Sequence, residues 1–174
     1  MNQDSAFAAV ALPHLDAAFN LARWLTSSHA DAEDVVQEAM MRALAYFPSF
    51  RGDSARAWLL QIVRNAAYTV LKARHGERFV PIAEDAEGIG IEDLPDPADD
   101  PEQALIHSED LSRIDDLLAR LPVELRETLV LRELEELSYR EIAQVTAVPI
   151  GTVMSRLWRA RRLLTDAAKK DSKA

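Results

Sequence analysis

In "HADAEDVVQEAMMRALAYF", Val36, Met40, Ala43 and Phe47 recur at spacings of four and three, with Val35, Ala39 and Leu44 beside them. That period gathers the apolar groups on one stripe of a helix. Asp31, with Asp34 three residues on, predicts the helix start, because a side-chain oxygen there can accept from the free amides of a first turn. A second stripe of Leu59, Ile62, Val63, Ala66 and Val70 predicts a helix from about Ala55 to Arg74. Between the two, "FPSFRGDSARAW" carries Pro48, Gly52, Asp53 and Ser54, the composition of a loop.

Further on, "PEQALIHSEDLSRIDDLLARLP" predicts a helix that ends before Pro122, and "PVELRETLVLRELEEL" a second with proline in its first turn. "SYREIAQVT" and "PIGTVMSRLWRARRLL" are two amphipathic segments parted only by "AVP". The alternation expected of strands appears nowhere, so the chain reads as all-α.

Two helices around so short a turn, sharing Ile142, Ala143, Val148, Val153 and Leu157 as a core, have the pattern of a helix-turn-helix. With Ile150, Val153, Leu157 and Leu164 on the inner face of the second helix, Ser155, Arg159 and Arg162 fall on the outer face, flanked by Thr152, Arg156 and Trp158. Hydroxyls and guanidinium groups suit phosphates and guanine edges in a major groove. Ala147 stands where such a turn usually has glycine, and a left-handed alanine costs ~1 kcal/mol.

The helix after the loop sets Gln61, Arg64, Asn65, Tyr68 and Lys72 away from its apolar stripe. Cations interleaved with an aromatic ring and amides suit single-stranded DNA, whose bases stack on rings while its phosphates meet cations.

Charge changes the picture of the middle of the chain. The formal net charge is -9, yet the segment from Glu84 to Glu102 alone holds nine acids and no Lys or Arg, so the remainder is balanced. Pro95, Pro97, Pro101, Gly88 and Gly90 fall in the same stretch. Like-charge repulsion and missing amide donors disfavour regular structure there, and the segment reads as an acidic flexible linker between two small helical domains.

The remaining chemistry is sparse. With no cysteine, thiolate metal sites, disulfides and cysteine catalysis are excluded. His14, His29, His75 and His107 lack metal-ligand spacing, and no phosphate-cradling glycine loop or nucleophile motif occurs, so no metal, cofactor or catalytic residue is expected. The first twenty residues lack a basic start, and Pro13 and His14 break their apolar run, which predicts neither a signal peptide nor membrane insertion. The residues by themselves leave open a DNA-binding protein, which could be a stand-alone helix-turn-helix regulator that binds duplex DNA as a dimer, and a helical enzyme or adaptor whose charged faces are merely solvated.

Taken together, "DAEDVVQEAMMRAL", "FRGDSARAWLLQIVRN" and "LPVELRETLVLRELEELSYREIAQVTAVPIGTVMSRLWRARRLL" resemble the small extracytoplasmic-function sigma factors of the sigma-70 family of bacterial RNA polymerase. The resemblance covers nearly the whole chain apart from its first residues, the acidic segment and the C-terminal tail. It implies a sigma region 2-like domain over residues 1–78, a linker over 79–101, a region 4-like helix-turn-helix domain over 102–168, and a tail over 169–174.

It also implies roles. The "AEDVVQEA" helix docks on the clamp coiled coil of the polymerase β′ subunit in that family, which makes Asp34, Gln37, Glu38, Met41 and Arg42 the expected core-polymerase contacts. The β flap is the expected partner of the second domain. The "FRGDSA" loop corresponds to the part that captures a base flipped from the −10 promoter element, so Phe50, Arg51, Asp53 and Ser54 are assigned to that pocket, and Arg64, Asn65, Tyr68 and Lys72 to the strand. Thr152, Ser155, Arg156, Arg159 and Arg162 are the expected −35 contacts. Met154 stands where many relatives carry Lys or Arg. A promoter-specificity subunit of this kind is not an enzyme, works in the bacterial cytoplasm, is nucleoid-associated when active, and answers to an anti-sigma factor. The linker is expected to run along the basic interior of the polymerase, its acidity also lowering nonspecific DNA binding.

Overall fold

A computed structural model describes residues 2–76 and 111–173. The acidic segment, and the start of the helix read from "PEQALIHSED", lie outside the described residues.

Helix α1 (Gln3–Ala11) begins under Asn2, whose Oδ1 accepts from the Asp4 amide at 2.9 Å. Pro13 ends it by starting a 3₁₀ turn (Leu12–His14), a place where its missing donor costs nothing. Helix α2 (Leu15–Thr26) stops at Ser27, which turns the chain with φ of 56°. Helix α3 (His29–Tyr46) follows at once. Its cap is Ser28, whose hydroxyl accepts from the Asp31 amide at 3.3 Å, so the helix starts before the predicted Asp31. Ser28 has the extended backbone a cap needs, whereas Asp31 lies in the first turn and pairs with Arg74. A 3₁₀ turn (Phe47–Ser49) and the loop 50–54 lead to α4 (Ala55–His75), which Ser54 caps by accepting from the Ala57 amide at 3.1 Å.

Helices α2, α3 and α4 pack on one another through Leu21, Leu25, Val35, Leu59 and Val63, with alanines 18, 22, 32, 39, 43, 57, 66 and 67 between them. Each fully buried leucine is worth ~1.5–3 kcal/mol, and the alanines bring the helix axes close. The stripe on α4 differs from the predicted one. Leu60, Ala67 and Leu71 are buried along with Leu59 and Val63, while Ile62 and Val70 are only half-buried. The reason is a second set of neighbours on the far side of the helix.

Those neighbours are in the C-terminal half: α5 (Leu111–Ala119), α6 (Val123–Glu133), α7 (Tyr139–Thr146) and α8 (Ile150–Asp171). Pro122 sits at the N-cap of α6, one place ahead of the predicted first turn. Ser138 and Glu141 form a reciprocal capping box on α7, with bonds of 3.2 and 2.9 Å. Ala147 ends α7 with φ of 56° and ψ of 41°, the left-handed turn foreseen at that alanine. Helix α8 continues to Asp171, three residues into the segment read as a tail. The described residues contain eight α-helices and no strand, an all-α fold.

The two halves pack against each other, α6 on α2 and α7 on α4. Arg126 of α6 spans the seam: one guanidinium nitrogen donates to the Trp24 carbonyl at 3.0 Å and to Ser27 Oγ at 3.2 Å, the other to the Leu121 carbonyl at 3.3 Å. It thereby serves one of the carbonyls, that of Trp24, that the C-terminus of α2 leaves over.

Candidate nucleic-acid interface

The outer face of α3 gathers one surface as expected. Asp34 and Gln37 are exposed, Glu38 accepts from Arg42 Nε at 2.8 Å, and Met41 stands 63% exposed among them. Spacings of three and four place all five opposite the buried Val35, Val36, Ala39 and Ala43.

The loop ahead of α4 is organised by rings. Phe50 stacks with Phe47 at a centroid distance of 6.4 Å and packs on Trp58 at 4.7 Å. Gly52 lies close beside it: a Cβ there would stand 3.2 Å from the Phe50 ring, which would have to shift by a few tenths of an ångström. Arg51 bends back and donates to the Pro48 and Phe50 carbonyls at 2.9 and 2.8 Å. A cavity of about 320 Å³ opens against Phe47, Pro48, Phe50, Arg51 and Gln3. Gln3 and Trp58 escape the sequence reading because neither lies in the loop itself. Asp53 is exposed but does not line the cavity, and Ser54 is turned away from it.

On α4, Asn65 and Lys72 are exposed, but Arg64 and Tyr68 are covered by the C-terminal half. Arg64 Nε donates to Glu127 Oε2 at 3.0 Å and its Nη2 to Oε1 at 3.3 Å, while its guanidinium lies 3.8 Å over the Tyr68 ring. Glu127 is fully buried. Burial pushes its carboxyl above the usual range, against the pull of the Arg64 hydrogen bonds and charge. The Tyr68 hydroxyl is pushed up by burial and by the Glu127 charge. Ser54 Oγ, meanwhile, donates to Glu141 Oε1 at 3.0 Å. The Glu141 carboxyl is held below its ordinary range, first by the Ser138 amide and then by Ser54, against its partial burial.

On α8, Thr152, Ser155, Arg159 and Arg162 share an accessible face, and Arg162 lies over the Trp158 ring at 5.2 Å. Arg156 does not belong to that face. It is 8% exposed and 4.0 Å from Glu127, because Val153, Arg156, Leu157, Ala160 and Leu164 form the inward stripe. Ile150, expected on that stripe, is 43% exposed.

The comparisons with known proteins agree with this layout. Residues 11–76 match sigma-70 region 2 and residues 111–164 match sigma-70 region 4. Over 140 residues the chain is 39% identical to the ECF RNA polymerase sigma-E factor of Haemophilus influenzae, covering 79% of this chain and 74% of that one. The RNA polymerase sigma-H factor of Pseudomonas aeruginosa is also 39% identical, over 79% of this chain and 72% of its own. Among solved structures, the sigma factor RpoE in complex with the anti-sigma factor NepR from Bartonella quintana superimposes with a TM-score of 0.67 at 31% identity, covering 91% of this chain and 93% of that one. CnrH in complex with the cytosolic domain of CnrY gives 0.65 at 25% identity, covering 97% and 90%.

A region 2 fold joined to a region 4 helix-turn-helix defines a sigma factor, the subunit that directs transcription initiation. Within the sigma-70 family, the chain belongs to the extracytoplasmic-function group.

Proposed function

We propose that the protein docks on core RNA polymerase through the Asp34, Gln37, Glu38, Met41 and Arg42 face of α3, against the β′ clamp coiled coil, with the β flap receiving the second domain. The loop pocket takes a flipped base of the −10 element, Asn65, Lys72, Arg64 and Tyr68 hold the strand, and α8 reads the −35 element through Thr152, Ser155, Arg159 and Arg162. The domains run over residues 1–78 and 102–168, with the acidic segment 79–101 threading the polymerase. Phosphodiester synthesis belongs to the core, so the sigma subunit catalyses nothing. Its work lies in the bacterial cytoplasm, on the nucleoid when active.

The observation that carries the reading is Met41. It stands 63% exposed within the charged strip of α3, and methionine is enriched at protein interfaces relative to the rest of a surface. Among the described residues no helix is long and apolar enough to cross a membrane. Control by an anti-sigma factor is supported by the solved complex of the relative RpoE with the anti-sigma factor NepR.

The test is promoter opening. Core polymerase mixed with the protein should expose permanganate-reactive thymines around the −10 element, and Lys72→Ala should reduce that reactivity while co-elution with core persists. A protein that never co-elutes with core, yet protects a duplex palindrome by itself, would be a stand-alone regulator.

A further inference from the structure

The cavity beside the loop has one wall from outside the loop: Gln3, the first residue of α1, faces it together with Phe47, Pro48, Phe50 and Arg51. Resting on the −10 reading above, we propose that Gln3 is a specificity-determining residue, its side-chain amide reading the edge of the base that this pocket receives.

The chemistry of the lining singles Gln3 out. The rings of Phe47, Phe50 and Pro48 offer apolar faces that any base can meet, so they hold a base without choosing it. Arg51 is only a donor, and its Nη1 is already engaged by the Pro48 and Phe50 carbonyls at 2.9 and 2.8 Å. Gln3 alone among these five side chains carries both a donor and an acceptor, and that amide has no hydrogen-bond partner among the described residues. A carboxamide can make paired bonds with the edge of an extruded base, whose hydrogen-bonding groups differ between the four bases.

The fold holds Gln3 in that place. Gln3, Phe7 and Ala11 follow at intervals of four on one face of α1, and Phe7 and Ala11 are buried. The Phe7 ring meets Phe47 edge-on at 5.6 Å, so α1 is fastened to the same aromatic cluster that organises the loop. Asn2 fixes the first turn by accepting from the Asp4 amide. The match to region 2 begins only at residue 11, so Gln3 reaches the pocket from outside the matched segment.

The experiment measures equilibrium binding of the holoenzyme to single-stranded oligonucleotides carrying the non-template −10 sequence of a promoter that it transcribes, with each of the four bases placed at each position in turn. Wild type should prefer one base at the captured position by about tenfold, within the discrimination that a paired amide contact gives. Gln3→Ala should flatten that preference and leave those at the other positions unchanged, with the unfolding midpoint of the wild type because Gln3 is exposed. Gln3→Glu exchanges the donor for a second acceptor, so thymine, which presents two carbonyls, should become the base bound worst there. A Gln3→Ala holoenzyme that discriminates as wild type does at every position overturns the proposal, as does one whose loss of affinity is equal for all four bases. Failure of the −10 reading itself looks different: Phe50→Ala would then leave promoter opening by the holoenzyme intact.

Discussion

Arg64 of α4 and Glu127 of α6, 63 positions apart in the chain, meet through two hydrogen bonds of 3.0 and 3.3 Å with the carboxylate fully buried. That pairing changes which arginines are free to meet DNA. It withdraws Arg64 from the surface of α4, and the same carboxylate draws Arg156 inward from α8.

Arg156 and Arg159 should therefore behave differently although they are neighbours on one helix. Arg156→Ala removes a partner from a buried carboxylate, with an expected loss of ~1–3 kcal/mol in urea unfolding. Arg159→Ala should leave stability within ~0.5 kcal/mol and instead cost ~1–3 kcal/mol in holoenzyme binding at one −35 base pair. Uniform weakening across promoter sequences would make Arg159 a phosphate contact.

Ala147 carries a left-handed backbone that its Cβ resists. Ala147→Gly should stabilise the chain by ~1 kcal/mol, read as a higher urea midpoint with an unchanged slope. The turn between α7 and α8 keeps its shape, so −35 binding should not change.

The cap of α3 offers a sharper test of the helix start. Ser28→Ala should cost ~1 kcal/mol, because the Asp31 amide loses its acceptor. Denaturant unfolding of the single variant is sufficient to measure it.

Glu141 gives a pH dependence with a definite sign. Its carboxyl is depressed by the Ser138 amide and by Ser54, so its charge contributes stability above the ordinary carboxylate range, and that contribution is lost as pH falls through the depressed value. Wild type should exceed Glu141→Gln in stability at neutral pH, and the difference should close in acid. A difference that persists unchanged to low pH would show that the charge is not the stabilising element.

The helical elements of both halves were legible because each buries an apolar stripe at a period the sequence displays, as Val35, Val36, Ala39 and Ala43 do on α3. Pro13 and His14 interrupt the corresponding run further upstream, which hides that α1 and α2 are two helices joined by one 3₁₀ turn. The five α3 positions proposed to meet the polymerase follow from the family resemblance, and periodicity adds only that they lie off that stripe. The burial of Arg64, Tyr68 and Arg156 was not legible, because it is set by a carboxylate distant in sequence. Periodicity reports which face of a helix is apolar, but it does not report that a polar face is covered by another polar face. The pairing of "RN" on α4 with "RET" on α6 leaves no local signature in either segment.

The most direct test of the central claim is transcription in vitro from a library of promoter fragments by sigma-free core RNA polymerase supplemented with this protein. The account predicts transcripts with defined start sites, lost with the double variant Gln37→Ala, Glu38→Ala while its unfolding midpoint stays that of the wild type. Defined transcripts that survive that double variant would contradict the placement of the docking face on α3. No defined transcript from any fragment, under conditions where the protein co-elutes with core, would contradict promoter direction by this chain.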